Sequence, residues 1–327
     1  MFGMVVGAAL PEDLSDFQWL RELEEIGETE GYFSPLGDMH AAVFVDRSQE
    51  VLFVCFETMV GVRSQSETGL PLGFDVCEQK GWSHLTVLAL GETWYRDRHV
   101  YGYFDRLVDE GFFEDFDRVL FYGAGMCGYA AAAFSVVAPG ATVISVAPQA
   151  TLERGLTTWD ARFGHTRKMD FTSRYGFAPD MLEAAEAAFV IYDPGETEDA
   201  MHAAMFRGAN IHRFGYRRGG AAGIDADLRK LGMVSALCEQ AAAEKLDRTA
   251  FAGVMRARRQ SIQYLRSVLG RLMRDKRHYL AAVFCRAVLK RHSLPRFQQA
   301  LDMAQAELKA SGRDLPGNKR QPLETIG

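Results

Sequence analysis

A chain of 327 residues that is 48% apolar and 24% charged can bury a large core, which excludes disorder as its dominant state and leaves room for one α/β domain plus a smaller appendage. Five scattered cysteines (Cys55, Cys77, Cys127, Cys238 and Cys285) without a Cys-x-x-Cys pair argue against a disulfide scaffold and fit a reducing, cytoplasmic compartment. The net charge of −6 conceals an imbalance: from residue 234 onward 18 Lys and Arg stand against 8 Asp and Glu, while the part before carries 19 against 35.

The first ten residues are apolar but lack a basic leader, and Pro11-Glu12-Asp13 follows at once. No apolar run reaches the length needed to cross a bilayer, so neither a signal peptide nor a membrane partner is expected. Leu14 to Glu28 carries Phe17, Leu20, Leu23 and Ile26 at steps of three, the spacing of an amphipathic helix. Ala41 to Asp46 and Val51 to Phe56 read as strands around the polar turn Arg47-Ser48-Gln49-Glu50, which predicts an antiparallel hairpin. Glu57 to Phe74 has three glycines, a proline and no sustained period, and reads as a long loop. After a strand at Leu85 to Leu90, Trp94 and Arg96 stand in a loop at the strand's carboxyl end. They suit a pocket wall, or equally a loop packed on itself. Val100 to Phe113 reads as a helix.

The chain turns on Arg118 to Gln149. An apolar run, Val119 to Tyr122, meets Gly123-Ala124-Gly125-Met126-Cys127-Gly128; an alanine-rich segment follows, and Pro139-Gly140 stops it before the β-branched run Ala141 to Val146. This is strand, tight turn, helix, strand: one parallel βαβ unit. The turn matches the Gly-x-Gly-x-x-Gly of dinucleotide sites, where backbone approaches a pyrophosphate at a helix N-terminus. The second strand, however, ends Val146-Ala147-Pro148-Gln149, with no acid to hold a ribose. NAD or FAD is therefore a minor alternative to having no cofactor.

Beyond Gln149, residues 150–179 are irregular and rich in charge, as expected of a cap-like insertion. Ala178 to Ala188 reads as a helix, Phe189 to Tyr192 as a strand, Thr197 to Phe206 as a helix and Asn210 to Phe214 as a strand. From Met233 four helices are expected: Val234 to Leu246, Thr249 to Met273, Tyr279 to Arg291 and Pro295 to Ala310. The last two resemble a TPR-like hairpin near 278–310, too short for a solenoid. The expected organisation is a lead-in over 1–35, an α/β domain over 36–232, a helical appendage over 233–310 and a loose tail over 311–327.

Tyr122 to Ala132, YGAGMCGYAAA, resembles the nucleophile elbow of α/β-hydrolase-fold proteins that read YGSSMGGYAAL. The resemblance implies an α/β-hydrolase-like fold: a mostly parallel sheet flanked by helices, here with a C-terminal α-helical appendage. It puts Gly125 at the nucleophile position, Met126 at the oxyanion-hole N–H and Cys127 where glycine is usual. It also implies that Glu57, Thr58 and Arg63 follow the strand whose loop completes the hole, and that Asp193 stands at the triad acid. The histidine position falls at Ala221 or Ala222, and no histidine occurs in the loop Gly215 to Gly223.

Serine-type acyl transfer needs a nucleophile and a base, and on this alignment both are absent. The expectation is a degenerate, non-catalytic pseudo-hydrolase that binds or scaffolds. Arg63, Arg96, Arg217 and Arg218 follow predicted strand ends and suggest a small anionic ligand. One alternative is a cysteine hydrolase or acyltransferase using Cys127 at the helix N-terminus with Asp193. A weaker one is a likeness to bacterial sequences associated with phosphoadenosine phosphosulfate reductase, whose pyrophosphate loop and Glu-Cys-Gly-x-His segment do not occur here. No metal motif is present. The basic helices suit a protein partner or a homo-oligomer, and without interleaved aromatics they argue against nucleic acid.

Overall fold

The fold is described from a computed structural model over residues 9–217 and 223–313, the side chain of Arg167 excepted. The helix α1 (Asp16–Glu30) starts because Ser15 and Gln18 form a reciprocal capping box, and it buries Trp19 and Leu23. Strands β1 (Gly31–Leu36) and β2 (His40–Val45) form a hairpin, and β3 (Leu52–Thr58) follows. Two short helices, α2 (Met59–Gln65) and α3 (Leu72–Cys77), precede β4 (Ser83–Ala89), and α4 (Arg98–Asp109) leads on from it. The central unit is β5 (Val119–Ala124), α5 (Met126–Phe134) and β6 (Thr142–Val146). The insertion carries α6 (Arg154–Thr157) and ends at α7 (Ala178–Met181). Then come β7 (Ala187–Tyr192), α8 (Thr197–Met205), β8 (Ile211–Gly215) and α9 (Gly223–Lys230). Helices α10 (Met233–Ala242), α11 (Arg248–Val254), α12 (Ile262–Arg274), α13 (His278–Leu289) and α14 (Pro295–Ala310) complete the described chain.

The eight strands form one sheet in the order β1-β2-β4-β3-β5-β6-β7-β8. Only the β1–β2 and β2–β4 pairs are antiparallel; every pair from β4–β3 to β7–β8 is parallel. This mostly parallel sheet, flanked by helices, is the α/β-hydrolase-like architecture. Its strands are buried along nearly their whole length, as a sheet covered on both faces requires: every residue of β2 and β4 is buried. Phe56, Phe104, Phe134 and Tyr95 pack together in the core on one side.

The predicted pairing of residues 41–46 with 51–56 does not occur. β4 lies between β2 and β3, and the hairpin partner of β2 is β1, from Gly31 against Val45 to Leu36 against His40. The sequence GYFSPL of β1 hid it, because glycine, serine and proline signal a turn; at a sheet edge Pro35 removes no needed hydrogen bond. The predicted loop 57–74 contains α2, which Thr58 starts by accepting from Gly61 N–H at 2.9 Å. The helix expected over 178–188 stops at Met181, and Ala187 already belongs to β7. The helix expected over 249–273 is two, α11 and α12.

The chain divides into two compact units, Met1–Arg256 and Ala257–Gly327. The first includes α10 and α11, whereas the sequence reading began the appendage at residue 233; α10 buries Val234, Leu237, Cys238 and Ala241. The second has its own core, in which Leu265, Leu269, Cys285, Phe297 and Leu301 meet between α12, α13 and α14. The tail read as loose lies outside the described residues from position 314. Among the described residues no helix is long and apolar enough to cross a membrane.

Candidate functional site

The corner between β5 and α5 is built around backbone. A Cβ on Gly123 would lie 2.0 Å from the carbonyl oxygen of Cys127, so only glycine lets the helix turn back so sharply. Gly125 sits at the corner itself with φ 58° and ψ −124°, a conformation that strains any L side chain. Its N–H donates to Val146 O at 2.8 Å and its carbonyl accepts from Tyr129 N–H at 2.9 Å. Among the described residues a Cβ there would meet nothing within 4 Å. The corner is therefore a strained turn with open space, among those residues, where a side chain would project.

Above it lies a cavity of about 330 Å³, lined among the described residues by Glu57, Thr58, Gln65, Gly125, Met126, Cys127, Asp225 and Arg229, with Phe56, Val62 and Ile224 as apolar wall. Of the residues singled out from sequence, Glu57, Thr58, Gly125, Met126 and Cys127 come together here. The Met126 side chain is turned toward Trp94, whose backbone N–H points at its Sδ at 3.0 Å. Among the described residues no side chain caps the first turn of α5, so its amides leave a partial positive charge facing the cavity.

The thiol of Cys127 is buried and lies 3.3 Å from the Tyr95 hydroxyl. That hydroxyl has one proton and two nearby carbonyls to receive it, Glu57 O at 2.7 Å and Val87 O at 3.4 Å. The Cys127 S–H is then the donor to Tyr95, and the sulfur is protonated. Burial pushes its pKa up to about 12; reactivity needs the opposite shift. No imidazole lines the cavity among the described residues. His202 is buried elsewhere, its Nδ1 accepting from Ala150 N–H at 3.1 Å and its Nε2 paired with Asp160 at 3.0 Å. His212 stacks on Phe189 in the sheet.

Facing the corner is a charged cluster that the sequence reading did not assemble. Arg229 on α9 donates to Glu57 Oε1 at 2.8 Å and to Asp225 Oδ2 at 2.8 Å. Glu57 Oε2 accepts from Leu72 N–H at 2.8 Å, and Asp225 Oδ1 accepts from the Tyr122 hydroxyl at 2.6 Å. All four carboxylate oxygens thus have a partner, which joins the ends of β3 and β5 to α9. Burial raises the Glu57 pKa, with Arg229 and the Leu72 amide acting against it. The signal available in sequence was the spacing of Asp225 and Arg229 by four on one helix face, and of Glu57 at a strand's carboxyl end.

The other singled-out residues lie apart from this cavity. Arg63 is held by the Asp16 carboxylate and the Leu14 carbonyl on the outer side of α2. Arg96 braces the insertion, donating to Asp170 O at 2.8 Å, Arg174 O at 2.7 Å and Ser173 Oγ at 2.8 Å, with its guanidinium over Tyr101 and Phe171. Trp94, with φ 54°, packs edge-on against Tyr129, Phe163 and Phe171. Asp193 is buried and accepts from Gly195 N–H at 2.8 Å in the turn after β7, and it does not line the cavity. Arg217 is exposed after β8, while Arg218, Ala221 and Ala222 lie outside the described residues.

No family model matches the chain, and no curated protein does. Among solved structures, it is similar to the capsule O-acetyltransferase of Neisseria meningitidis serogroup A, at 12% identity and TM-score 0.41, over 60% of this chain and 90% of that one. It is also similar to carboxyl esterase 2 of the mycorrhizal fungus Tuber melanosporum, at 14% identity and TM-score 0.42, over 66% and 84%. A third is an esterase of Pyrobaculum calidifontis, at 11% identity and TM-score 0.41, over 74% and 97%.

Proposed function

We propose that this chain is a pseudo-hydrolase: a non-hydrolytic binding or scaffolding protein whose ligand pocket is the cavity above the β5–α5 corner. The observation that carries the reading is Gly125, a residue without a side chain at the one position from which an elbow nucleophile attacks. Two further observations support it. The neighbouring Cys127 thiol is buried against the Tyr95 hydroxyl at 3.3 Å, and no imidazole lines the cavity among the described residues. The Cys127 nucleophile reading loses weight for the same reasons.

The amides at the start of α5 favour a partly negative oxygen on the ligand. The lining itself holds two carboxylates, Glu57 and Asp225, against one guanidinium, Arg229, which opposes a multiply charged anion. The anionic ligand suggested by the arginine count is accordingly narrowed to one with a single acidic or carbonyl group. Five free cysteines, all buried, suit a reducing compartment.

The test is turnover of short-chain acyl esters, together with labelling by a fluorophosphonate probe. The native protein is expected to give solvent-level hydrolysis and no label. Ester turnover that survives Cys127→Ala would overturn the reading by revealing an unrecognised nucleophile, and turnover lost in Cys127→Ala would restore the cysteine enzyme. A thermal-shift screen of mono- and dianionic small molecules then reads the pocket, with stabilisation expected only from the former.

A further inference from the structure

The second unit carries a charge pattern that the cavity does not explain. Residues 257–327 hold 15 Lys and Arg against 5 Asp and Glu, and from Lys276 to Leu301 there is no acidic residue at all. Helix α13 lies inside that stretch. One face of it, Ala281, Ala282, Cys285 and Val288, is buried in the unit's core. The opposite face presents Tyr279, Leu280 and Val283 at 41%, 47% and 41% exposure, with Ala287 exposed beside them. Positions 280, 283 and 287 are spaced by three and four, so these side chains form one stripe along the helix. Exposed cations bound the stripe at both ends: Lys276 and Arg277 before the helix, Lys290 and Arg291 after it.

We propose that this face of α13 binds the surface of an anionic lipid bilayer, as a peripheral contact and not a span. The chemistry of the stripe selects the partner. Leu280, Val283 and Ala287 offer a docked acidic protein or a nucleic acid no hydrogen-bonding side chain. An apolar centre with long cationic side chains at its ends matches a medium that is apolar in depth and anionic at its boundary. Tyrosine, with an apolar ring and a polar tip, suits that boundary. The cations supply the attraction that is specific to acidic headgroups.

The test is flotation of the full chain with vesicles of phosphatidylcholine alone or with phosphatidylglycerol added. Binding is expected to the mixed vesicles only, and to fall as salt rises and the Debye length shortens. Leu280→Asp with Val283→Asp, both at exposed positions, should lower partitioning by about tenfold or more, with helicity unchanged by circular dichroism. Lys290→Glu with Arg291→Glu should lower it as well. The proposal is overturned if the mixed vesicles do not bind the native chain, or if binding ignores the Leu280 and Val283 changes. Vesicle-free self-association abolished by the same two changes would assign the face to a second copy and overturn it too.

Discussion

The two sides of the cavity are built in opposite ways. At the β5–α5 corner the backbone holds a strained, glycine-dependent turn and offers no reacting side chain. Across from it, Glu57, Arg229 and Asp225 hydrogen-bond to one another, to the Leu72 amide and to the Tyr122 hydroxyl of β5. One side is a backbone turn that only glycine accommodates, and the other has charged groups engaged in holding α9 to the sheet.

The largest expected effect breaks the charged side. Arg229→Met leaves the buried carboxylate of Glu57 unpaired and should destabilise the protein by about 3–5 kcal/mol in denaturant unfolding. Adding Glu57→Gln should recover much of that loss, because the unpaired charge is removed. Equal stability of native and Arg229→Met protein would mean the cluster does not hold α9.

Acid sharpens the comparison, because two buried histidines that do not line the cavity respond to it. Burial lowers His84 from 6.5 to about 3, assisted by Arg47, and lowers His40 from 6.5 to about 4, against the raising effect of Asp97. Both fold as neutral rings, so the unfolded chain binds more protons between the folded values and 6.5. Their stabilising effect is complete above 6.5 and is lost as pH falls toward the folded values. At pH 5 each should have cost about 2 kcal/mol relative to pH 7. Unfolding curves at the two pH values check this, and His84→Gln should flatten the dependence.

A smaller effect probes the corner. Gly125→Ser places a side chain in open space but at positive φ, so a loss of about 1–2 kcal/mol is expected. Ester turnover should stay at background, since no imidazole is at hand. Measurable hydrolysis by this variant would mean that a base is within reach of the corner. The smallest concerns the insertion: Arg96→Ala removes hydrogen bonds to residues 170–174. It should cost about 1 kcal/mol globally, yet speed proteolysis within 159–174 severalfold.

Much of the fold was legible because its signals are local. The βαβ unit from Val119 to Val146 follows from apolar runs, three glycines and a Pro-Gly stop, and α13 and α14 follow from apolar spacing. Strand β1 was not legible, because its Gly31, Ser34 and Pro35 are strand-poor residues retained by pairing with β2. The insertion of β4 between β2 and β3 was equally hidden, since pairing order depends on contacts distant in sequence.

At the site, sequence alone determined which residues stand at the β5–α5 turn, Gly123, Gly125 and Gly128 among them, and that the loop Gly215 to Gly223 holds no histidine. Only the tertiary structure decided which groups face the cavity. Arg63 and Arg96, which shared the strand-end position of pocket residues, turned to Asp16 and to the insertion. Arg229, in the middle of an ordinary polar helix, was brought between Glu57 and Asp225. A side chain's type is written in the chain, whereas the partner that satisfies its charge is chosen by what folding brings within hydrogen-bond distance.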